Sequence, residues 1–547
     1  MTIKKNMHQG FWQPANTLPE KGVDSIKQSL MRLSHPVYLV DLEQETAAAN
    51  TGSALVGRDL KDETTPYPLR AYAPALPLEN LGDAGFKARH GIRYPYVAGA
   101  MANGITSVEM VAAMAENGMI GFFGAGGLSV EQVEAALVAL KQRIGDRPFG
   151  SNLIHSPGDP ELEMSVVNLY LRLGVTRVSA AAFMRITPAL AYYRIKGIHR
   201  DENGTIVTPN LVIAKVSRIE VARQFFSPPP EKLVADLLNR GLITDQEAKL
   251  SQSIPMAQDL TAEADSGGHT DNRPALALLP IMLALRDEFN EGFTYDSPLC
   301  VGLAGGIATP AATAAAFHMG AAYVLSGSIN QSCIEAATSD GVKQLLARTE
   351  QADVAMAPAA DMFELGARVQ VLKRGTMFPL RAEKLYRLYK TYDAFEAIPL
   401  AQQREIETKF LLASFEETWQ QTRTFFLTRN IKEVVRAEND PKHKMSLVFR
   451  SYLGQSSRWA TTGEMNRLMD FQIWCGPAMG AFNQWVKGSF LEPPENRRVV
   501  DVALNLLVGA AVLTRAGWLR NQGASLDSKI EKFTPIPREQ LLEMISM

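Results

Sequence analysis

Leu299-Cys300-Val301-Gly302-Leu303-Ala304-Gly305-Gly306-Ile307 decides the fold. A short apolar run, suited to a strand buried on both faces, ends in a glycine pair, and a helical pattern begins at about Pro310. The unit then repeats: Ala322-Tyr323-Val324-Leu325 runs into Ser326-Gly327-Ser328. Working back toward the N-terminus, similar apolar runs occur at 260–264, 211–216, 175–179, 149–153, 119–123 and 96–99, separated by amphipathic stretches. Ser129 is placed to cap the second helix, with Glu131 in its first turn. Eight strands alternating with helices over about 235 residues predict an α/β fold, a (β/α)8 TIM barrel. A doubly wound open sheet satisfies the same alternation.

The barrel is expected over residues 91–350. Residues 1–90 carry scattered prolines and one strand-like run, Val37-Tyr38-Leu39-Val40, and read as an N-terminal cap or small subdomain. An insertion at about 218–258, with Pro228-Pro229-Pro230 and a helical pattern over 231–240, is a lid, a partner-docking element or a surface hairpin. After 350 the strand signal stops. Long helical patterns at 379–392, 401–428 and 497–519 predict a helical C-terminal region over 351–547, packed on the barrel through its apolar faces.

Composition narrows the function classes. The 56 basic and 58 acidic residues are mixed along the chain, giving a net charge of -2 and no basic face for nucleic acid. Cys300, Cys333 and Cys475 show neither a disulfide framework nor metal-ligand spacing. The most membrane-like stretch, 499–519, is interrupted by Asp501, Asn505 and Arg515 and reads as a buried helix, not a membrane span. With no signal-peptide core in residues 1–10, a cytoplasmic location is expected.

Ligands of a barrel bind beyond the C-terminal ends of its strands. There, Gly305-Gly306 and Gly327-Ser328 follow adjacent strands, where glycine lets a phosphate approach backbone N–H groups; one glycine pair alone would ordinarily be a tight turn. The sixth strand runs into Asp265-Ser266-Gly267-Gly268-His269-Thr270-Asp271. His269 is the candidate proton-transfer residue, with Asp265 or Asp271 as candidates to orient its ring. Asn152 closes the third strand, and its amide both donates and accepts. Lys215, inside the apolar fifth strand, needs an anionic partner: a flavin ring edge or an internal carboxylate. Gly99-Ala100-Met101 places small residues where a planar ring fits against the backbone.

Together these segments resemble the nitronate monooxygenase and flavin-dependent enoyl reductase superfamily. The resemblance rests on Pro95 to Met101, Asn152, Gly267-Gly268-His269, Ala304-Gly305-Gly306-Ile307 and Gly327-Ser328. Asp265-Ser266 departs from the glutamate-alanine usual in simpler relatives. Over nearly the whole chain, segments such as Asn152-Leu153-Ile154-His155-Ser156-Pro157, Asp353-Val354-Ala355-Met356-Ala357-Pro358-Ala359-Ala360-Asp361 and Trp474-Cys475-Gly476-Pro477 resemble the PfaD family. Its members are stand-alone enoyl reductases of polyunsaturated fatty acid and trans-acyltransferase polyketide synthases. The resemblance implies FMN, NADPH as reductant and a thioester substrate on an acyl carrier protein, and allows a homodimer. It also implies that Gly99, Ala100, Met101, Asn152, Lys215, Asp265, Gly267, Gly268, Gly305, Gly306, Gly327 and Ser328 bind FMN, with His269 catalytic. Nitronate oxidation and a non-catalytic scaffold are the competing expectations. The Tyr-x-x-x-Lys of Tyr192 and Lys196 lacks the glycine-rich dinucleotide turn of a short-chain dehydrogenase and is read as chance.

Overall fold

The computed structural model describes residues 9–43, 45–57, 67–156 and 158–546; residues 1–8, including most of the stretch read for a signal sequence, and Pro66 and Pro157 lie outside them. Five strands, β1 (Gly10–Gln13), β2 (Val37–Leu42), β3 (Glu45–Ala49), β4 (Ser53–Val56) and β5 (Tyr67–Ala73), form an antiparallel sheet of order β3-β2-β5-β1-β4. Only β2 carries a strand-like apolar run. The other strands are short or half-exposed, and β5 contains Pro68, so their pairing comes from tertiary contacts instead of local pattern.

The barrel follows: β6 (Tyr96–Ala98), β7 (Ile120–Phe123), β8 (Gly150–Ile154) and β9 (Arg177–Ala181), then a hairpin of β10 (His199–Arg200) and β11 (Ile206–Val207), then β12 (Leu211–Val216) and β13 (Asp259–Glu263). After β14 (Gly268–His269), β15 (Cys300–Ala304) and β16 (Val324–Ser326) complete it. The closed ring runs β12-β13-β15-β16-β6-β7-β8-β9, all parallel, with each strand where its apolar run predicts it to within two residues. Partners in register share a face. Leu325 lies opposite Val97, Val97 opposite Ile120, and Phe122 opposite Gly150, so these side chains fill the interior with Ile213 and Tyr323. Phe86 stacks on Tyr323 at 4.0 Å. Ser129 caps its helix in a reciprocal capping box with Gln132.

The insertion after β12 contains the barrel helix Ile219–Phe226 and two more, Glu231–Asn239 and Asp245–Ser251. It is not a lid. By its second helix the chain has returned to the N-terminal end of the barrel, where Lys196 Nζ donates to Leu242 O and Gly197 N donates to Glu247 Oε1.

Two strands occur beyond the point where the strand signal stops. β17 (Val354–Pro358) and β18 (Arg368–Leu372) pair antiparallel, and β14 adds to the edge of β18. Behind them, helices Phe378–Thr391, Phe415–Arg429, Ile431–Asn439 and Pro441–Thr462 enclose a second apolar core around Phe378, Leu385, Phe410 and Phe449. The pattern at 401–428 is broken by Leu412, which adopts a left-handed φ of 57°.

The helix Val499–Asn521 returns to the barrel and packs between helices Pro310–His318 and Val108–Glu116, the place of the eighth helix of the ring. Gly509 makes this close: a Cβ there would sit 2.6 Å from Pro310 Cγ. The helix is long and apolar enough to cross a membrane by length and composition, but it lies buried in the protein. Asn505 and Arg515 are engaged, whereas Asp501 Oδ1 is buried with no hydrogen-bond partner among the described residues. Asn505 bonds the backbone of Asp501 and Ile536, and the Arg515 guanidinium donates to the carbonyls of Leu30, Arg32 and His35.

Candidate active site

The mouth of the barrel is built from the last inward residue of each strand. Lys215 and Glu263, at the ends of β12 and β13, form an ion pair of 2.8 Å, both largely shielded. This supplies the internal carboxylate that the cost of burying a lysine demands. Ser266 Oγ donates to Glu263 Oε1 at 3.3 Å, extending the network into the loop after β13.

His269 stands above this pair. As part of β14 it is held by the β18 ladder, opposite Val369, and its Nε2 lies 3.2 Å from Asp361 Oδ1. Asp361 is therefore the carboxylate that orients the ring, and neither Asp265 nor Asp271 does so. Asp265 accepts from Asn272 Nδ2 and Gln370 Nε2, both at 2.8 Å. Asp271 is clamped by Arg218 through two bonds of 2.9 Å, which holds its pKa at about 2. Partial burial works against a charged His269. The bond to Asp361 and its charge outweigh that, with Glu263 adding and Lys215 opposing, so the pKa rises above the ordinary imidazole value. Asp361 is held below the usual carboxylate range, because His269 outweighs its own desolvation.

The Ser266-Gly267-Gly268 segment is fixed from above. Gln370 Nε2 donates to Ser266 O at 2.8 Å, and a Cβ on Gly267 would meet the backbone of Cys475 at 2.9 Å. Gly476 N donates to Ser328 Oγ at 3.1 Å, so the segment around Cys475 spans from the histidine loop to the loop after β16. Asp361, Gln370 and Gly476 all come from beyond residue 350. The segments of Asp361 and Gly476 carry part of the family resemblance, yet nothing local assigns them a role, since only long-range strand pairing brings them here.

The phosphate-type loops lie side by side. A Cβ on Gly306 or Gly327 would meet nothing within 4 Å, and no described residue accepts from the backbone N–H of Gly306, Gly327 or Ser328. Open space bordered by unpaired N–H donors suits a phosphate. Gly305, with φ of 87°, packs against the Ala264 backbone instead. Across the mouth, Asn152 Oδ1 accepts from Ala125 N at 2.6 Å and Gly126 N at 3.3 Å, while no described residue accepts from its Nδ2. Met101 N donates to Thr106 Oγ1, which donates to Gly99 O, fixing the Gly99-Ala100-Met101 turn. Gly99 packs closely as well: a Cβ there would lie 2.5 Å from the Leu325 side chain, which would have to move aside. His155, just past β8, is a further oriented histidine: its Nδ1 lies 3.1 Å from buried Glu163, and its ring stacks on Phe183.

Residues 85–381, more than half of the sequence, match the nitronate monooxygenase family. The chain belongs to the nitronate monooxygenase family. Within the solved structures, this family member is similar to the enoyl reductase domain of MlnA from the macrolactin biosynthesis cluster of Bacillus amyloliquefaciens. The two are 37% identical with a TM-score of 0.77, covering 82% of this chain and 99% of that one. It is 41% identical over 524 residues to a polyunsaturated fatty acid synthase subunit of Thraustochytrium sp., and 46% identical over 436 residues to polyketide biosynthesis protein PksE of Bacillus subtilis. Those alignments cover 93% and 80% of this chain but 34% and 56% of the relatives, so the chain spans between a third and somewhat over half of their length. Residues 392–471, the helical unit around the second core, match the inserted helical domain of [acyl-carrier-protein] S-malonyltransferase.

Proposed function

We propose that this protein is an FMN-dependent enoyl reductase, acting on 2-enoyl thioesters carried by an acyl carrier protein, with NADPH as reductant. The observation that carries the reading is His269, held by Asp361 above the Lys215–Glu263 pair and beside two loops with unpaired N–H donors. Likeness to the enoyl reductase domain of MlnA and to proteins of fatty acid and polyketide synthesis supports the substrate class.

The residues fit the cofactor. Gly306, Gly327 and Ser328 would hold the phosphate through backbone N–H groups. Asn152 and the Gly99–Met101 turn would lie against the ring system, and Lys215, paired with Glu263 in a shielded site, would face its anionic edge. FMN, when bound, would supply hydride exchange between NADPH and the substrate β-carbon. The α-carbon then needs a proton. His269, with Nε2 turned to Asp361, offers its other ring nitrogen as donor, and Asp361 keeps it protonated at higher pH than an ordinary imidazole.

The test is an anaerobic absorbance titration of purified, FMN-reconstituted protein. NADPH should bleach the flavin band, and a crotonyl thioester on an acyl carrier protein should restore it. Failure to take up FMN sinks the proposal. No reoxidation by the thioester, together with oxygen consumption when the same protein is given an alkyl nitronate in air, assigns nitronate oxidation instead.

A further inference from the structure

We propose that the N-terminal end of the barrel carries a second binding site, for a small organic anion with one negative charge on an apolar body. A cavity of about 670 Å³ opens there, at the end opposite the candidate active site. That volume is within the range of small-molecule sites, roughly 300–1,000 Å³. Leu211, Ile254 and Tyr295 supply apolar wall, and Arg89 and Arg177 supply the cations.

The two arginines differ in one respect. Arg89 is already neutralised, bonding both oxygens of buried Asp259 at 2.7 and 3.2 Å. Arg177 has no ion pair among the described residues. It donates to Thr176 Oγ1 at 3.0 Å, while its Nε is buried with no partner. Asp296 also lines the cavity, but it sits exposed at the rim, accepts from Ile206 N and makes no ion pair with Arg177. Desolvation accordingly weakens the Arg177 guanidinium, and no carboxylate offsets it. A shielded charge without a counterion destabilises a fold; the same charge facing a cavity is a preformed half of an ion pair. A carboxylate would satisfy the fork of Arg177, and an alkyl or aryl tail would cover the apolar wall. Catalysis in this fold belongs to the opposite end, so the ligand acts on stability or assembly and takes no part in the reaction.

The experiment uses the 547-residue chain as purified and octanoate as probe, read by calorimetric titration and thermal unfolding, with octanol as the uncharged control. Octanoate should bind at one site and raise Tm, and octanol should not. Arg177→Leu should raise the Tm of the unliganded protein and weaken octanoate binding at least about tenfold. Ile254→Trp, which fills the cavity and keeps Arg177, should also lose binding. Three outcomes overturn the proposal: no octanoate binding to the unaltered chain, equal binding by both variants, which places octanoate at the barrel mouth, or a lowered Tm in Arg177→Leu, which makes Arg177 a structural cation.

Discussion

His269 Nε2 and Asp361 Oδ1 lie 3.2 Å apart across 92 residues of sequence, joined by the ladder that sets β14 beside β18. The pair makes a pH-dependent prediction. Asp361→Asn removes the charge that raises the His269 pKa, so the alkaline limb of the kcat profile should move down by about one pH unit. FMN affinity should be unchanged. An unmoved limb would mean that His269 does not supply the proton.

The same pair sets a window of stability. Because the pKa of His269 is raised, its contribution is complete below the ordinary value of 6.5 and fades as pH climbs through the raised folded value. Because the pKa of Asp361 is lowered, its contribution is complete above 3.8 and fades as pH falls through the lowered one. Urea unfolding across pH should therefore show the difference between wild type and Asp361→Asn greatest between those values, and smaller on either side.

Lys215→Met should leave Glu263 shielded and unpaired, costing about 3 kcal/mol in denaturant unfolding. Adding Glu263→Met should restore most of that stability but not FMN binding. If the double variant binds FMN like wild type, Lys215 is purely an internal counterion.

Two neighbouring glycines should respond differently to alanine. At Gly267 the methyl meets the Cys475 backbone, so the segment above the mouth must shift, with a loss of roughly 1–3 kcal/mol and of most activity. At Gly268 the space is open and only the φ of 81° resists, so about 1 kcal/mol is expected. Thermal unfolding of the two variants, side by side, checks the contrast.

The barrel was legible because its strands are buried on both faces, which writes them as continuous apolar runs such as Cys300 to Ala304. Ser129 was legible because a cap is a local arrangement. The N-terminal sheet was not: Ser53–Val56 and Tyr67–Ala73 alternate weakly, and their partners are distant. At the site, the histidine loop and the phosphate-type loops announce themselves through glycine. Asp361 and Gln370 do not, since what distinguishes them from any surface carboxylate or amide is the pairing of β18 with β14 and β17. The placement of the 218–258 insertion was not legible either, because its length does not reveal which end of the barrel it packs on.

The helix Val499–Asn521 imposes an order on synthesis. The ring of helices lacks its eighth member until that helix has left the ribosome. Roughly 170 residues separate it from β16, about 10–30 s of translation at ordinary rates. Throughout that interval the flanks of helices Pro310–His318 and Val108–Glu116 are uncovered, leaving apolar surface exposed on the nascent chain, and the barrel is a structure finished only after its second core has been made.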